Sequence, residues 1–284
     1  MISILRYWPR IMCKPTHHHL KKRFLKTFLV VVVGFMGAII VLLLWLMRPY
    51  AEKEGMTDLY SADCLIAHAG GKTFDGKTYT NSKEALLYSI NLGYKNIELD
   101  LYLTTDSQLV CLHKLDDFNR MTGRSLREID YQTFMNEKYY NKYTPISLSE
   151  AVEIWKRRPF VFVTDKFSEV DILDRYFVSN RQNVYVEVRR FWNYHRVSEH
   201  EYHAMLTIPH GILGFIKYFC GMAYGGKIYH IVTSKNNSPA LLRLYQRLGS
   251  RISVFTVNDQ DSVKSLISKK IDMIYTDDCV PADF

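Results

Sequence analysis

Short apolar segments recur along residues 63–284, and polar segments with a helical spacing of apolar residues separate most of them. Runs of this length, rich in Val, Ile, Leu and aromatic residues, predict β-strands. The nine predicted strands are Cys64–His68, Asn96–Leu103, Leu109–His113, Phe160–Asp165, Val184–Val188, Ala204–Ile208, Ile228–Thr233, Ile252–Val257 and Met273–Thr276. This alternation predicts an α/β fold, an irregular (β/α)8 TIM barrel.

Four segments between the strands have the pattern of amphipathic helices. They are Ser82–Leu92, Ser147–Lys156, Pro239–Leu248 and Asp261–Lys269. Either Asn81 or Ser82 can cap the first helix, and Ser147 with Glu150 has the spacing of a capping box. A fifth segment, His210–Gly226, is strongly apolar, and it fits either a helix that packs on the sheet or an exposed element that contacts a bilayer surface.

The connection between the second and third predicted strands breaks the regular pattern. Only five residues, Thr104–Gln108, separate them, whereas a parallel crossover needs about a dozen. Either the two strands form a hairpin or one of them leaves the barrel. We therefore expect an irregular barrel near its second strand.

The N-terminal part of the chain has a different pattern. Phe28–Met47 is a run of 20 uncharged, mostly apolar residues, long enough as a helix to cross the roughly 30 Å core of a bilayer. We favour an uncleaved anchor over a signal peptide, because the run is long and no small-residue cleavage site follows it. The predicted organisation is a basic tail (1–27), a transmembrane helix (28–47), a linker (48–62) and a barrel (63–284).

The charge distribution supports this topology. The net charge is +8, but residues 1–50 carry eight basic and no acidic side chains, and the remaining 234 residues carry 29 of each. Basic residues before the span predict a cytoplasmic N-terminus and an extracytoplasmic barrel at the cell membrane. Because residues 51–284 are neutral overall, their charge argues against a nucleic-acid partner. The five cysteines lack CxxC or zinc-type spacing, so they indicate neither a disulfide framework nor a metal knuckle.

Ionisable residues stand at the ends of several predicted strands, where active sites of this fold gather. Glu98 and Asp100 are two residues apart on one strand, so they point to the same face. Two carboxylates directed into a barrel interior need a proton or a cation between them, and Ca2+ or Mg2+ suits oxygen ligands. Asp165 is a third candidate ligand. His68 and His113 are candidates for acid–base catalysis, because imidazole titrates near neutral pH.

In this order, these motifs resemble those of the glycerophosphodiester phosphodiesterase family, in the superfamily of phosphatidylinositol-specific phospholipase C-like phosphodiesterases. The resemblance covers about residues 64 to 281. It rests on His68-Ala69-Gly70, Asn81-Ser82-Lys83-Glu84-Ala85, Glu98-Leu99-Asp100, His113, Pro145–Ala151, Asp165-Lys166, Phe255-Thr256-Val257-Asn258 and Tyr275-Thr276-Asp277.

The resemblance implies hydrolysis of a phosphodiester. It implies that His68 and His113 act as general base and acid, and that Lys166 binds the phosphate. It also implies a divalent cation, Ca2+ or Mg2+, held by the carboxylates of Glu98, Asp100 and Asp165.

Three positions depart from the family pattern. Ala69 replaces an arginine that contacts phosphate, Lys114 replaces an aspartate, and Asp165 stands where the family more often has Glu. Lys72, Lys114 and Arg189 are candidates to replace the missing arginine.

Two functions fit these residues. The first is a membrane-anchored, metal-dependent phosphodiesterase acting on deacylated phospholipids, lipid headgroups or glycerol-phosphate polymers. The second is a catalytically silent barrel that binds phosphorylated glycans or lipids during envelope assembly. Ala69 and Lys114 favour the second function, whereas the pair of histidines and the three acidic residues favour the first.

Overall fold

The computed structural model describes residues 26–34, 36–37 and 62–284. The chain divides into two compact units, Met1–Glu52 and Lys53–Phe284. In the first unit, residues 26–34 and 36–37 are helical. Residues 35 and 38–47 of the predicted transmembrane helix lie outside the described residues. Across the described ranges, no helix combines the length and the apolar character that spanning a bilayer requires.

Eight parallel strands of the second unit close into a barrel, and a ninth strand lies outside it. The strands are β1 (Leu65–Ala67), β2 (Asn96–Leu103), β3 (Leu109–Cys111), β4 (Val161–Asp165), β5 (Val184–Val188), β6 (His203–Thr207), β7 (His230–Ser234), β8 (Arg251–Phe255) and β9 (Met273–Thr276). The barrel closes because β1 pairs with both β2 and β9. Strand β3 is antiparallel to β2 and forms its ladder with that strand. Both of the predicted alternatives therefore hold, because the two strands form a hairpin and β3 lies outside the barrel.

Helices alternate with the barrel strands. They are α1 (Lys83–Asn91), α2 (Leu115–Thr122), α3 (Tyr131–Asn136), α4 (Leu148–Arg157), α5 (Val170–Leu173), α6 (Phe191–Glu199), α7 (Gly211–Gly225), α8 (Pro239–Arg247) and α9 (Gln260–Ser268). Ser82 caps α1 by accepting a hydrogen bond from the backbone N–H of Ala85. Ser147 caps α4 in the same way through Glu150. The predicted helices therefore begin where their capping residues indicate.

The closed barrel has two apolar layers, one inside the ring of strands and one between the strands and the helices. Side chains inside the barrel include Ile66, Val163, Met205 and Val232. A larger cluster lies between the outer faces of the strands and the helices. A separate apolar cluster lies under β3, α2 and α3. This third cluster stabilises the segment between β2 and β4, which departs from the regular barrel.

Candidate active site

Three buried carboxylates occupy neighbouring strand positions inside the barrel. Glu98 and Asp100 lie on β2, and Asp165 ends β4 directly opposite Asp100 in the parallel register. All three residues are at most 7% exposed. The pairing of β2 with β4 therefore brings together the carboxylates that the sequence placed at two separate strand ends.

Each β2 carboxylate has a specific donor. Glu98 Oε2 accepts a 2.7 Å hydrogen bond from the backbone N–H of Ala69, but its buried Oε1 has no hydrogen-bond partner within the described ranges. Asp100 Oδ2 accepts a 2.9 Å hydrogen bond from the Asn81 amide, whose Oδ1 accepts from the Asp100 backbone N–H. Burial and the charges of Asp100 and Asp165 raise the pKa of Glu98 well above its usual range. Burial also raises the pKa of Asp100, despite Asn81 and the nearby Lys166 ammonium.

Lys166 is the cation of this cluster. Its Nζ contacts Asp165 Oδ2 and lies 3.7 Å from Asp100 Oδ1. Its backbone lies in the left-handed region with φ of 70°, as do those of Ala69 (50°) and Asn81 (49°). Residues other than glycine pay a cost for this conformation, and such residues cluster at functional sites. The strained backbone at these three positions therefore holds Ala69, Asn81 and Lys166 against the carboxylates.

His68 is held by a carboxylate from the last strand–loop junction. Its Nδ1 lies 2.8 Å from Asp277 Oδ1, and Asn258 donates a 2.9 Å hydrogen bond to Asp277 Oδ2. Burial alone would raise the pKa of Asp277, but the hydrogen bonds from His68 and Asn258 lower it overall. An ionised Asp277 holds the Nδ1–H form of His68, so Nε2 is the atom left to exchange protons.

His113 has an equivalent partner. Its Nδ1 lies 2.7 Å from Asp117 Oδ2 in the first turn of α2. Arg120 donates a 2.8 Å hydrogen bond to the other oxygen of Asp117. The site thus contains two histidine–aspartate pairs, each of which orients an imidazole and leaves its Nε2 unengaged by the aspartate.

Tyr79 lies between the two imidazoles. Its ring centroid is 4.8 Å from that of His68 and 5.3 Å from that of His113, in edge-on geometry in both cases. Burial, together with the charges of Asp100 and Glu98, raises the pKa of the Tyr79 phenol above its usual range. The phenol therefore stays protonated and available as a hydrogen-bond donor beside the carboxylates.

Glu187 on β5 is a fourth buried acid of the barrel interior. Its two oxygens accept hydrogen bonds from the hydroxyls of Thr207 (2.6 Å) and Tyr275 (3.0 Å). Burial and the charge of Asp165 raise its pKa to about 8. Glu187 also lines a pocket of about 210 Å³, together with Asp165, Lys166, Ser168, Val188, Arg189, Arg190 and Asn193.

The carboxylates have the chemistry of a site for a hard divalent cation. They offer oxygen donors, and the buried Glu98 Oε1 lacks a hydrogen-bond partner in the part of the chain that the structure describes. Burial, and then the charges of Asp100 and Asp165, raise the pKa of Glu98. As the side chains lie, however, no three His, Cys, Asp or Glu residues in the described ranges converge closely enough to enclose a metal ion. The positive charge beside Asp165 and Asp100 is instead the Lys166 ammonium.

The sequence model of the Glycerophosphoryl diester phosphodiesterase family matches residues 72–213, half of the chain. The chain belongs to this family. The match includes Glu98, Asp100, His113, Asp165 and Lys166. As a family member, the protein is a phosphoric diester hydrolase of the glycerophosphodiester phosphodiesterase type. No curated protein shows significant sequence similarity to the chain.

Solved phosphodiesterase structures share the fold at low sequence identity. A putative glycerophosphoryl diester phosphodiesterase from Agrobacterium tumefaciens is 11% identical, with a TM-score of 0.65 over 75% of this chain and 93% of that one. One from Silicibacter pomeroyi is 14% identical, with a TM-score of 0.60 over 79% and 95%. An Oleispira antarctica phosphodiesterase, solved with its product sn-glycerol-3-phosphate, is 14% identical, with a TM-score of 0.60 over 75% and 92%.

The residues predicted from sequence lie together at one end of the barrel. The sequence did not single out Tyr79, Asp117 or Glu187, and it gave Asp277 no role beyond its motif. The spacing of four residues between His113 and Asp117 was a usable signal for their contact. Of the proposed replacements for the family arginine, Arg189 shares a pocket with Lys166, whereas Lys72 is hydrogen-bonded to the carbonyl of Asp278.

Glu187 makes folding stability depend on pH. The native state keeps its proton up to about pH 8, whereas the unfolded chain releases it near the ordinary pKa of 4.5. The free energy of unfolding should therefore fall as pH rises through this window. Between pH 4.5 and about 8, we expect the free energy of unfolding to fall by about 1–3 kcal/mol less in Glu187→Gln than in the wild type. The measurement is urea unfolding in the presence of EDTA.

Glu153→Gln is the matched control, because Glu153 is an exposed acid paired with Lys156. That variant should follow the wild-type pH dependence. Parallel curves for wild type and Glu187→Gln would contradict the assignment of a native proton to Glu187.

Proposed function

We propose that this protein hydrolyses glycerophosphodiester-type bonds with His68 and His113 as general base and acid. The observation that carries the proposal is the pair of histidine–aspartate contacts on either side of Tyr79. Each aspartate orients its imidazole and fixes its tautomer. One ring can then accept the proton of the attacking hydroxyl while the other protonates the leaving oxygen. Candidate substrates are deacylated phospholipids, lipid headgroups and glycerol-phosphate polymers.

A divalent cation, Ca2+ or Mg2+, is the proposed cofactor, with Glu98, Asp100 and Asp165 as its ligands. When bound, such an ion neutralises negative charge that develops on phosphoryl oxygens. Asn81 orients Asp100 through two hydrogen bonds, and the Ala69 backbone N–H orients Glu98. Lys166 supplies a positive charge for the phosphate, and the Tyr79 ring lies next to both imidazoles.

We also propose that residues 28–47 anchor the protein in the cell membrane, with the N-terminus in the cytoplasm and the barrel outside. The support is the uncharged run of 20 residues and the basic residues before it. This arrangement would place the hydrolase beside lipid headgroups and envelope polymers.

The anchor predicts the behaviour of the full chain in cell fractions. The wild type should stay in the membrane pellet after extraction at alkaline pH. A variant with Ile40→Lys and Leu43→Lys should be released, because two charges within the span oppose insertion. Protease added to intact cells should cleave the barrel. Release of the wild type by alkaline extraction, or protection of its barrel from the protease, would overturn this topology.

The reaction is tested with the purified full chain and glycerophosphodiesters that differ in the leaving alcohol. We expect turnover that EDTA abolishes and that Ca2+ or Mg2+ restores. His68→Ala and His113→Ala should each lower kcat by about 100-fold or more, which is the contribution expected of a positioned acid or base. Turnover that is insensitive to EDTA would contradict metal dependence.

His195→Ala and His210→Ala serve as control substitutions, since neither histidine belongs to the proposed site. Both should leave kcat near the wild-type value. Absence of turnover on the whole substrate panel, with or without metal, would contradict the hydrolase and favour a barrel that only binds phosphorylated ligands.

Asp277 is expected to act by positioning His68 rather than by touching substrate. Asp277→Asn should lower kcat by about 10- to 100-fold with little change in KM. Asp278→Asn is the neighbouring control and should leave kcat and KM near the wild-type values. An unchanged kcat in Asp277→Asn, or a loss that appears in KM instead, would contradict the positioning role.

A further inference from the structure

Helix α7 is oriented differently from an ordinary barrel helix, which packs its apolar side against the sheet. Its large side chains face solvent: Ile212 is 67% exposed, Leu213 65%, Ile216 51% and Phe219 37%. Its buried residues are Gly214, Tyr218 and Gly221. By contrast, α8 buries Leu242, Leu244 and Tyr245. We call Ile212, Leu213, Ile216 and Phe219 the α7 face.

Small residues on the inner side fix this orientation. A Cβ added at Gly214 would lie 1.9 Å from the carbonyl oxygen of Pro209, and one at Gly221 would lie 3.3 Å from Cβ of Phe191. The helix therefore lies close against the preceding loop and against α6. The larger apolar residues of α7 could face the core only if the whole helix rotated and lost these close contacts. The α7 face is thus a fixed property of the fold rather than a loosely packed side of the core.

The α7 face begins next to the active site. Helix α7 starts four residues after Thr207, whose hydroxyl is hydrogen-bonded to Glu187. In addition, Lys217 of α7 donates a 2.6 Å hydrogen bond to the carbonyl of Thr207. The first turn of α7, with Ile212 and Leu213, therefore lies at the carboxyl end of β6, where the barrel opens to substrate.

Cations lie near the start of α7, whereas Glu199 of α6 lines a pocket with Tyr224 and Gly225 at the other end of the helix. Residues 202–258 contain six Lys and Arg and no acidic residue. The loop before α6 adds Arg189 and Arg190, both exposed. Burial, and then the charge of Arg189, lowers the pKa of Lys217, so these two cations lie within electrostatic range of each other. An apolar stripe flanked by cations is complementary to an anionic lipid surface.

We propose that the α7 face docks on an anionic lipid bilayer and holds the mouth of the barrel at the membrane surface. Ile212, Leu213, Ile216 and Phe219 would contact the boundary between headgroups and acyl chains, and Arg189, Arg190 and Lys217 would face the lipid phosphates. The docking does not depend on the N-terminal span. Its purpose, access to phosphodiesters at the bilayer surface, rests on the proposed function.

The test uses the full chain with Cys13→Ser, in which Cys220 is an exposed thiol of α7 and Cys64, Cys111 and Cys279 are buried. A fluorophore on Cys220 is measured in vesicles of equal parts phosphatidylcholine and phosphatidylglycerol that carry nitroxide lipids. The control fluorophore is placed at Val178→Cys in a Cys220→Ser background. Val178 is 78% exposed and lies in the connection after α5, towards the opposite end of the barrel.

We expect quenching at Cys220 to exceed that at position 178 by about twofold or more. The quenching should fall to the control level in Ile212→Ser/Leu213→Ser/Ile216→Ser, and it should weaken in vesicles of phosphatidylcholine alone. Hydrolysis of a soluble glycerophosphodiester by the triple variant should stay at the wild-type rate, which shows that it folds.

Two outcomes would overturn the proposal. One is equal quenching at both positions. The other is a dimer in analytical ultracentrifugation that the triple variant dissociates, which would assign the α7 face to a second copy of the chain. Because quenching does not depend on turnover, an inactive protein that is still quenched at Cys220 would contradict the proposed function and leave the docking in place.

Discussion

The interior of the barrel contains carboxylates that cannot all be ionised without compensation. Glu98, Asp100, Asp165 and Glu187 are each at most 8% exposed, and burial raises the cost of every negative charge. The surrounding structure supplies donors for this reason: the Ala69 backbone, the Asn81 amide, the Lys166 ammonium, and the hydroxyls of Thr207 and Tyr275. The left-handed backbone at Ala69, Asn81 and Lys166 is the local cost of placing three of them.

The remaining electrostatic imbalance links stability to ligand binding. One buried oxygen of Glu98 has no hydrogen-bond partner among the described residues, so the compensation that these residues supply is incomplete. Any bound positive charge that interacts with the native cluster more strongly than with the unfolded chain stabilises the fold by mass action. His68 and His113 differ in this respect, because Asp277 and Asp117 already pair with them. The two proposed acid–base groups are therefore oriented before any ligand binds, whereas the carboxylates still lack part of their counter-charge.

The fold was more predictable from sequence than the site. Strand–helix alternation gives the barrel because each strand is a compact apolar run, and the five-residue loop Thr104–Gln108 forces the hairpin. Glu187 was missed because it lies in the run Val184–Val188, which differs little from any buried strand, and its partners come from β6 and β9. Tyr79 reaches the histidines from a loop with a positive φ of 60°, a conformation that no apolar pattern encodes. The contact between Asp277 and His68 depends on the pairing of β9 with β1, and the two residues are 209 positions apart in the sequence.

Lys166 shows how charge balance limits phosphate binding at this site. Residues 51–284 are neutral overall, and the Lys166 ammonium is engaged by Asp165 and lies near Asp100. A phosphate would compete with these two carboxylates for the same ammonium, and it would meet their repulsion as well. Lys166 can therefore turn to a phosphate only when the carboxylates have another counter-charge. With alanine at position 69, the proposed binding of a phosphate would depend on that exchange and on cations at the rim such as Arg189, rather than on a general basic field.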